Sequence, residues 1–65
     1  MSKWTDAELK QEAIHDYQEC RECGHYPDWT NEPLTTELIK KWSVEYDMNE
    51  NEFKRYINYF YECLN

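Results

Sequence analysis

A single glycine and two prolines leave this chain almost no material for tight hairpin turns, and no run alternates Val, Ile or Thr with polar residues. A sheet has neither its strands nor its turns here, so the fold class is all-α. Leu, Ile, Val and Phe are equally scarce, numbering ten together in 65 residues, and only eight of these are aliphatic. Joined to a net charge of −7, that shortage would ordinarily mark a disordered chain. Three Trp and six Tyr overrule that reading. Each such ring buries about 150 to 250 Å², so an aromatic core replaces the missing aliphatic one. No apolar stretch nears the ~18 residues of a membrane span, and the N-terminus has no basic-then-apolar leader pattern. Three cysteines are an odd number, too few for the disulfide framework of a secreted mini-protein. These absences predict a soluble, cytoplasmic protein. Residues 1–65 should form one domain with one small core and marginal stability.

The fullest apolar face lies near the C-terminus. Phe53, Tyr56, Ile57, Phe60, Cys63 and Leu64 recur at i, i+3, i+4 and i+7, which gathers them on one side of a helix over about residues 50–64. Asn49 and Glu52 form a capping box before it, and Met48 and Phe53 stand where a hydrophobic staple would close. The chain opens with the same grammar: Thr5 and Glu8 are the box, Trp4 and Leu9 the staple. From there Leu9, Ala13, Tyr17 and Cys20 make a stripe with Ile14 beside it. Gly24 supplies a left-handed cap, so the first helix covers about residues 6–23. Residues 24–34 have no period and two prolines, and read as a loop in which Trp29 serves as a lid over the core. A second helix over about residues 35–46 starts at a Thr35 or Thr36 cap and faces inward through Leu38, Ile39, Trp42 and Tyr46, leaving Val44 outside its stripe. The expected architecture is a compact three-helix bundle.

Ile39, Trp42, Ser43, Tyr46, Met48, Phe53 and Ile57 have spacing that resembles a helix-turn-helix unit, with small Ser43 where two helices approach closely. The resemblance covers less than a third of the chain, and it implies a trihelical fold whose last helix would be the DNA-recognition helix. It departs at the turn, where Asp47 stands in the position usually held by Gly. Charge argues against inheriting the DNA-binding function. Seven basic residues face fourteen acidic ones, and the exposed positions expected on the last helix are mixed: Glu50, Asn51, Glu52, Lys54, Arg55, Asn58 and Glu62. Duplex DNA is bound through neutralised phosphates, which this surface does not provide.

The opposite polarity is better developed. Glu8, Glu12, Glu19 and Glu22, with His15 among them, occupy one sector of the first helix. Carboxylates four residues apart lie about 6 Å from each other, near the spacing of phosphates on a strand. A line of charges is also what a merely solvated helix face carries. Read as a working surface, it predicts a binding module that docks on a basic, nucleic-acid-binding protein as an inhibitor or regulator. Tyr59 and Tyr61, flanking the inner stripe, are either interface anchors or core-edge packing. Small size, acidity and surplus aromatics resemble, in composition only, the inhibitor proteins of phages and other mobile elements.

Cys20-Arg-Glu-Cys23-Gly-His25 has knuckle-like spacing for zinc, and Cys63 could complete four ligands if the last helix ends beside the first. Cys20 and Cys63 also sit on core stripes, where cysteine serves as a small apolar filler, and the expectation is no metal and no cofactor. A thioredoxin-like role is disfavoured because these cysteines end a helix instead of beginning one, so the dipole favours the neutral thiol. Neither His15 nor His25 has a hydroxyl nucleophile at a recognisable spacing, and no Gly-rich phosphate loop exists. The chain does not read as an enzyme.

Overall fold

The computed structural model describes residues 4–64. Helix α1 spans Asp6–Cys23, a single 3-10 turn covers Asp28–Asn31, α2 spans Thr36–Glu45 and α3 spans Glu50–Leu64, with no strand among the described residues. The protein is an all-α three-helix domain. Helix α3 packs on both α1 and α2, so the element with the fullest apolar face is the one the others share. No helix is long and apolar enough to cross a membrane.

Local chemistry sets each boundary. Thr5 is extended, its Oγ1 accepts the Glu8 N–H at 3.2 Å, and Glu8 Oε1 accepts the Thr5 N–H at 3.0 Å. Helix α1 stops where Gly24 turns left-handed at φ 71°, its N–H reaching back to the Cys20 carbonyl at 2.7 Å. Thr35 caps α2 by accepting the Leu38 N–H at 3.2 Å. At the far end Asp47 takes the left-handed conformation (φ 57°) at the position that departs from the helix-turn-helix pattern. Its N–H donates to the Val44 carbonyl and the Met48 N–H to the Ser43 carbonyl at 3.2 and 2.9 Å, which closes α2 as a Schellman motif without glycine. Helix α3 opens with the second box: Asn49 Oδ1 accepts the Glu52 N–H at 2.8 Å and Glu52 Oε1 the Asn49 N–H at 2.9 Å.

The core is aromatic. Leu9 and Ala13 of α1 meet Met48 and Phe53, Tyr56, Ile57 and Phe60 of α3. Trp29 is more than the expected lid: it is fully buried, with edge-on contacts to Phe53, Tyr56, Phe60 and Tyr61 at centroid distances of 5.0 to 6.1 Å. Its indole N–H donates to the Tyr46 hydroxyl at 3.1 Å, so this polar group enters the core satisfied. Helix α2 is the lighter partner. Leu38, Ile39, Trp42 and Tyr46 of its inner face are half-buried, and Ser43 is its one fully buried residue, consistent with a close approach there. Val44 stands out in solvent at 78% exposure.

Two positions, Leu64 and Glu52, differ from the sequence reading. Leu64, placed on the core stripe by its spacing, is 40% exposed, because the buried face of α3 ends at Phe60. Ile14, beside the α1 stripe, is also exposed. Glu52, expected on the exposed face of α3, is 7% exposed. The reason is a bond across helices: Glu52 Oε2 accepts the Trp4 backbone N–H at 2.6 Å, tying the start of α1 to the start of α3. The Trp4 indole N–H donates to the Asp47 carbonyl at 2.8 Å and closes the same seam.

Candidate functional site

The acidic line on α1 does not lie uniformly in solvent. Glu8, Glu19 and Glu22 are exposed, whereas Glu12 is half-buried. Glu8 is engaged in its own capping box, and Glu19 faces His15 at 3.4 Å. Glu12 instead borders an open groove of about 420 Å³ between α1 and the C-terminal end of α2, shared with Asp16, Glu19 and Glu45, and with Trp4 and Tyr46 in its lining. A second hollow of about 300 Å³ lies beyond it, lined by Trp4, Glu8, Glu12 and His15 among others. Among the described residues, neither hollow has a lysine or arginine in its lining.

Partial burial makes these acids interact. Glu12 has its pKa raised, first by desolvation and then by the charges of Asp16 and Glu19, with His15 opposing. Asp16 accepts the Tyr56 hydroxyl at 2.6 Å, a bond that couples the groove to the core. Burial, and then this hydrogen bond to Asp16, hold the Tyr56 hydroxyl far above its ordinary range. Tyr46 is also raised, chiefly by burial. Both phenols therefore keep their protons, and the negative charge of the groove resides on its carboxylates.

Sequence spacing identified Glu12 and Glu19 but missed Asp16 and Glu45. Asp16 was legible, being one i+4 step from Glu12, yet it falls at the margin of the acidic sector beside the apolar stripe. Glu45 carried no signal, because it belongs to a different helix and only folding brings it to the groove. Glu8 borders the smaller hollow alone, and Glu22 borders neither. Tyr59 and Tyr61 are half-buried against the core and line neither hollow, with Tyr61 5.9 Å from Trp29. On the remaining face of α3, Lys54 and Arg55 are exposed, and Arg55 meets Asp6 at 3.4 Å.

The zinc arrangement does not assemble. Among the described residues, the His, Cys and carboxylate groups that come within 4.8 Å of one another in a set of three are His15, Asp16 and Glu19. Cys20, Cys23, His25 and Cys63 form no such set. The Cys20 thiol is pushed up by burial and then by the neighbouring Asp16, Cys23 and Glu19, which favours its neutral form over the thiolate.

No family model, curated protein or solved structure matches this chain. Its function is accordingly read from the chemistry of its own surfaces.

Proposed function

We propose that this chain is a small acidic binding module, phage or mobile-element encoded and cytoplasmic, that docks on a basic, nucleic-acid-handling protein and inhibits or regulates it. One observation carries the reading: carboxylates of α1 line a face and a groove that, among the described residues, contain no lysine or arginine. Such a face repels nucleic acid and attracts the surface that binds it. Glu8, Glu12, Glu19 and Glu22 supply the long-range field, which raises association rate more than final affinity. Tyr59 and Tyr61 are the candidate anchors, since half-buried tyrosines add contact area at little entropic cost. No catalysis belongs to this reading.

Capture of host proteins at low and high salt, with and without competing duplex DNA, tests it. The expected result is a nucleic-acid-binding protein that is released by salt and by DNA, and is lost when Glu12 and Glu19 are both changed to Lys. Specific binding of duplex DNA by the purified protein itself, abolished by Arg55→Ala, would overturn the proposal in favour of a DNA-binding regulator.

A further inference from the structure

The groove between α1 and α2 has a composition that restricts what enters it. Glu12, Asp16 and Glu19 descend one side of α1 at i, i+4 and i+7, and Glu45 adds a fourth carboxylate from the last residue of α2. That end of α2 already carries the negative pole of the helix, where a basic residue is the favourable choice. Here the last turn holds no basic residue, and an acid occupies the final position. Like charges thus accumulate from two independent sources, the side chains of α1 and the terminus of α2. Among the described residues the lining of the groove holds no lysine or arginine, and His15, which faces Glu19 at 3.4 Å, borders the neighbouring hollow instead. The pKa of Glu12 is raised first by its partial burial and then by the nearby charge of Asp16.

The rest of the lining is not acidic. Trp4, Pro27 and Tyr46 give the groove apolar and aromatic surface. Trp4 is held there by its two hydrogen bonds, to Glu52 and to the Asp47 carbonyl, and Tyr46 by the Trp29 indole. A compact ammonium ion, strongly hydrated, gains little from such surface. A guanidinium is planar, weakly hydrated, able to stack on aromatic rings and able to donate to several carboxylates at once.

We infer that this groove receives an arginine side chain from a basic polypeptide segment of the partner, held between the carboxylates of Glu12, Asp16, Glu19 and Glu45 and the aromatic surface of Trp4 and Tyr46. The inference rests on the docking function proposed above and specifies its contact. It assigns Glu45 and Trp4 to recognition, and it distinguishes arginine-bearing from lysine-bearing partners, which a line of solvated charges would not do.

The test uses the full chain, labelled with ¹⁵N, and two capped peptides, Gly-Arg-Gly-Arg-Gly and Gly-Lys-Gly-Lys-Gly, at low ionic strength. Binding of the arginine peptide should move the Trp4 indole N–H resonance and also that of Trp29, whose indole N–H donates to the Tyr46 hydroxyl in the groove wall. It should be about five-fold tighter than the lysine peptide, the scale of one exposed cation–π contact. Glu45→Gln should weaken the arginine peptide and shrink the preference, whereas Glu22→Gln, on the same acidic line but outside the groove, should weaken both peptides equally. Both glutamates are exposed, and circular dichroism confirms that each variant is folded. Equal affinity for the two peptides, an unmoved Trp4 signal, or identical effects of the two variants would each overturn the inference. If such a result accompanied salt-sensitive capture of a nucleic-acid-binding protein, the docking function would stand and the arginine groove would fall. If the arginine preference appeared without such capture, the groove would stand and the proposed biological target would fall.

Discussion

The two capping boxes share one grammar and meet different fates. Thr5 and Glu8 exchange hydrogen bonds of 3.2 and 3.0 Å at the exposed start of α1. Asn49 and Glu52 exchange bonds of 2.8 and 2.9 Å at the start of α3, but there the glutamate is buried and its second oxygen accepts the Trp4 N–H. The first box begins a helix. The second begins a helix and also fastens it to another. A capping interaction contributes about 1 kcal/mol in either setting. What differs is the consequence of its loss: water replaces the missing partner at the first site, and a half-buried donor loses its acceptor at the second.

Glu52→Ala should therefore be the most damaging change, lowering stability by about 3 kcal/mol through the combined loss of the box and of the Trp4 bond. Urea unfolding measures it, and a loss no larger than that of Glu8→Ala would break the comparison. The same logic applies to the other bond between helices, Tyr56 to Asp16. Tyr56→Phe keeps the ring in the core and removes only the hydroxyl, so it should cost about 1.5 to 3 kcal/mol, the value of a hydrogen bond to a charged group. Full recovery of wild-type stability in that variant would mean that Asp16 is equally well served by water.

At the exposed box, Thr5→Ala should cost about 1 kcal/mol and Glu8→Ala less, with a loss of helix signal confined to the first turn of α1. Amide hydrogen exchange reads that confinement directly. The smallest effect is expected at Glu12, where the carboxylate is crowded in the folded state. Glu12→Gln should leave stability unchanged or slightly raised at neutral pH. Because burial and the neighbouring carboxylates hold the folded pKa above its ordinary value of 4.5, the native state holds the extra proton between the two values. Any advantage of the Gln variant should then be absent below pH 4.5 and open as pH rises through the folded pKa. An advantage that grew on acidification would contradict the electrostatic account of the groove.

The sequence alone determined the helices and most of their ends, because their signals act over a few residues. Two capping boxes, a Thr35 or Thr36 cap, Gly24 and the 3.6-residue recurrence of apolar side chains are local; they place the starts of all three helices and the end of α1, whereas α2 ends at Glu45 before left-handed Asp47. The same period named most of the core, from Leu9 and Ala13 to Phe53, Tyr56, Ile57 and Phe60. It also drew the acidic line of α1. Tertiary structure decided the rest. Trp29 lies in a segment without periodicity, so no spacing could distinguish a lid from the centre of the core. Leu64 fits the stripe of α3 but lies past the end of that helix's buried face. Glu52 became buried through Trp4, 48 residues away, and Asp16 met Tyr56 across 40. The groove required α1 and the end of α2 to come together around Glu12, Asp16 and Glu45. A cap or a stripe is fixed by hydrogen bonds and rotations within one helix, whereas these meetings depend on how whole helices pack, which is summed over side chains far apart in the chain.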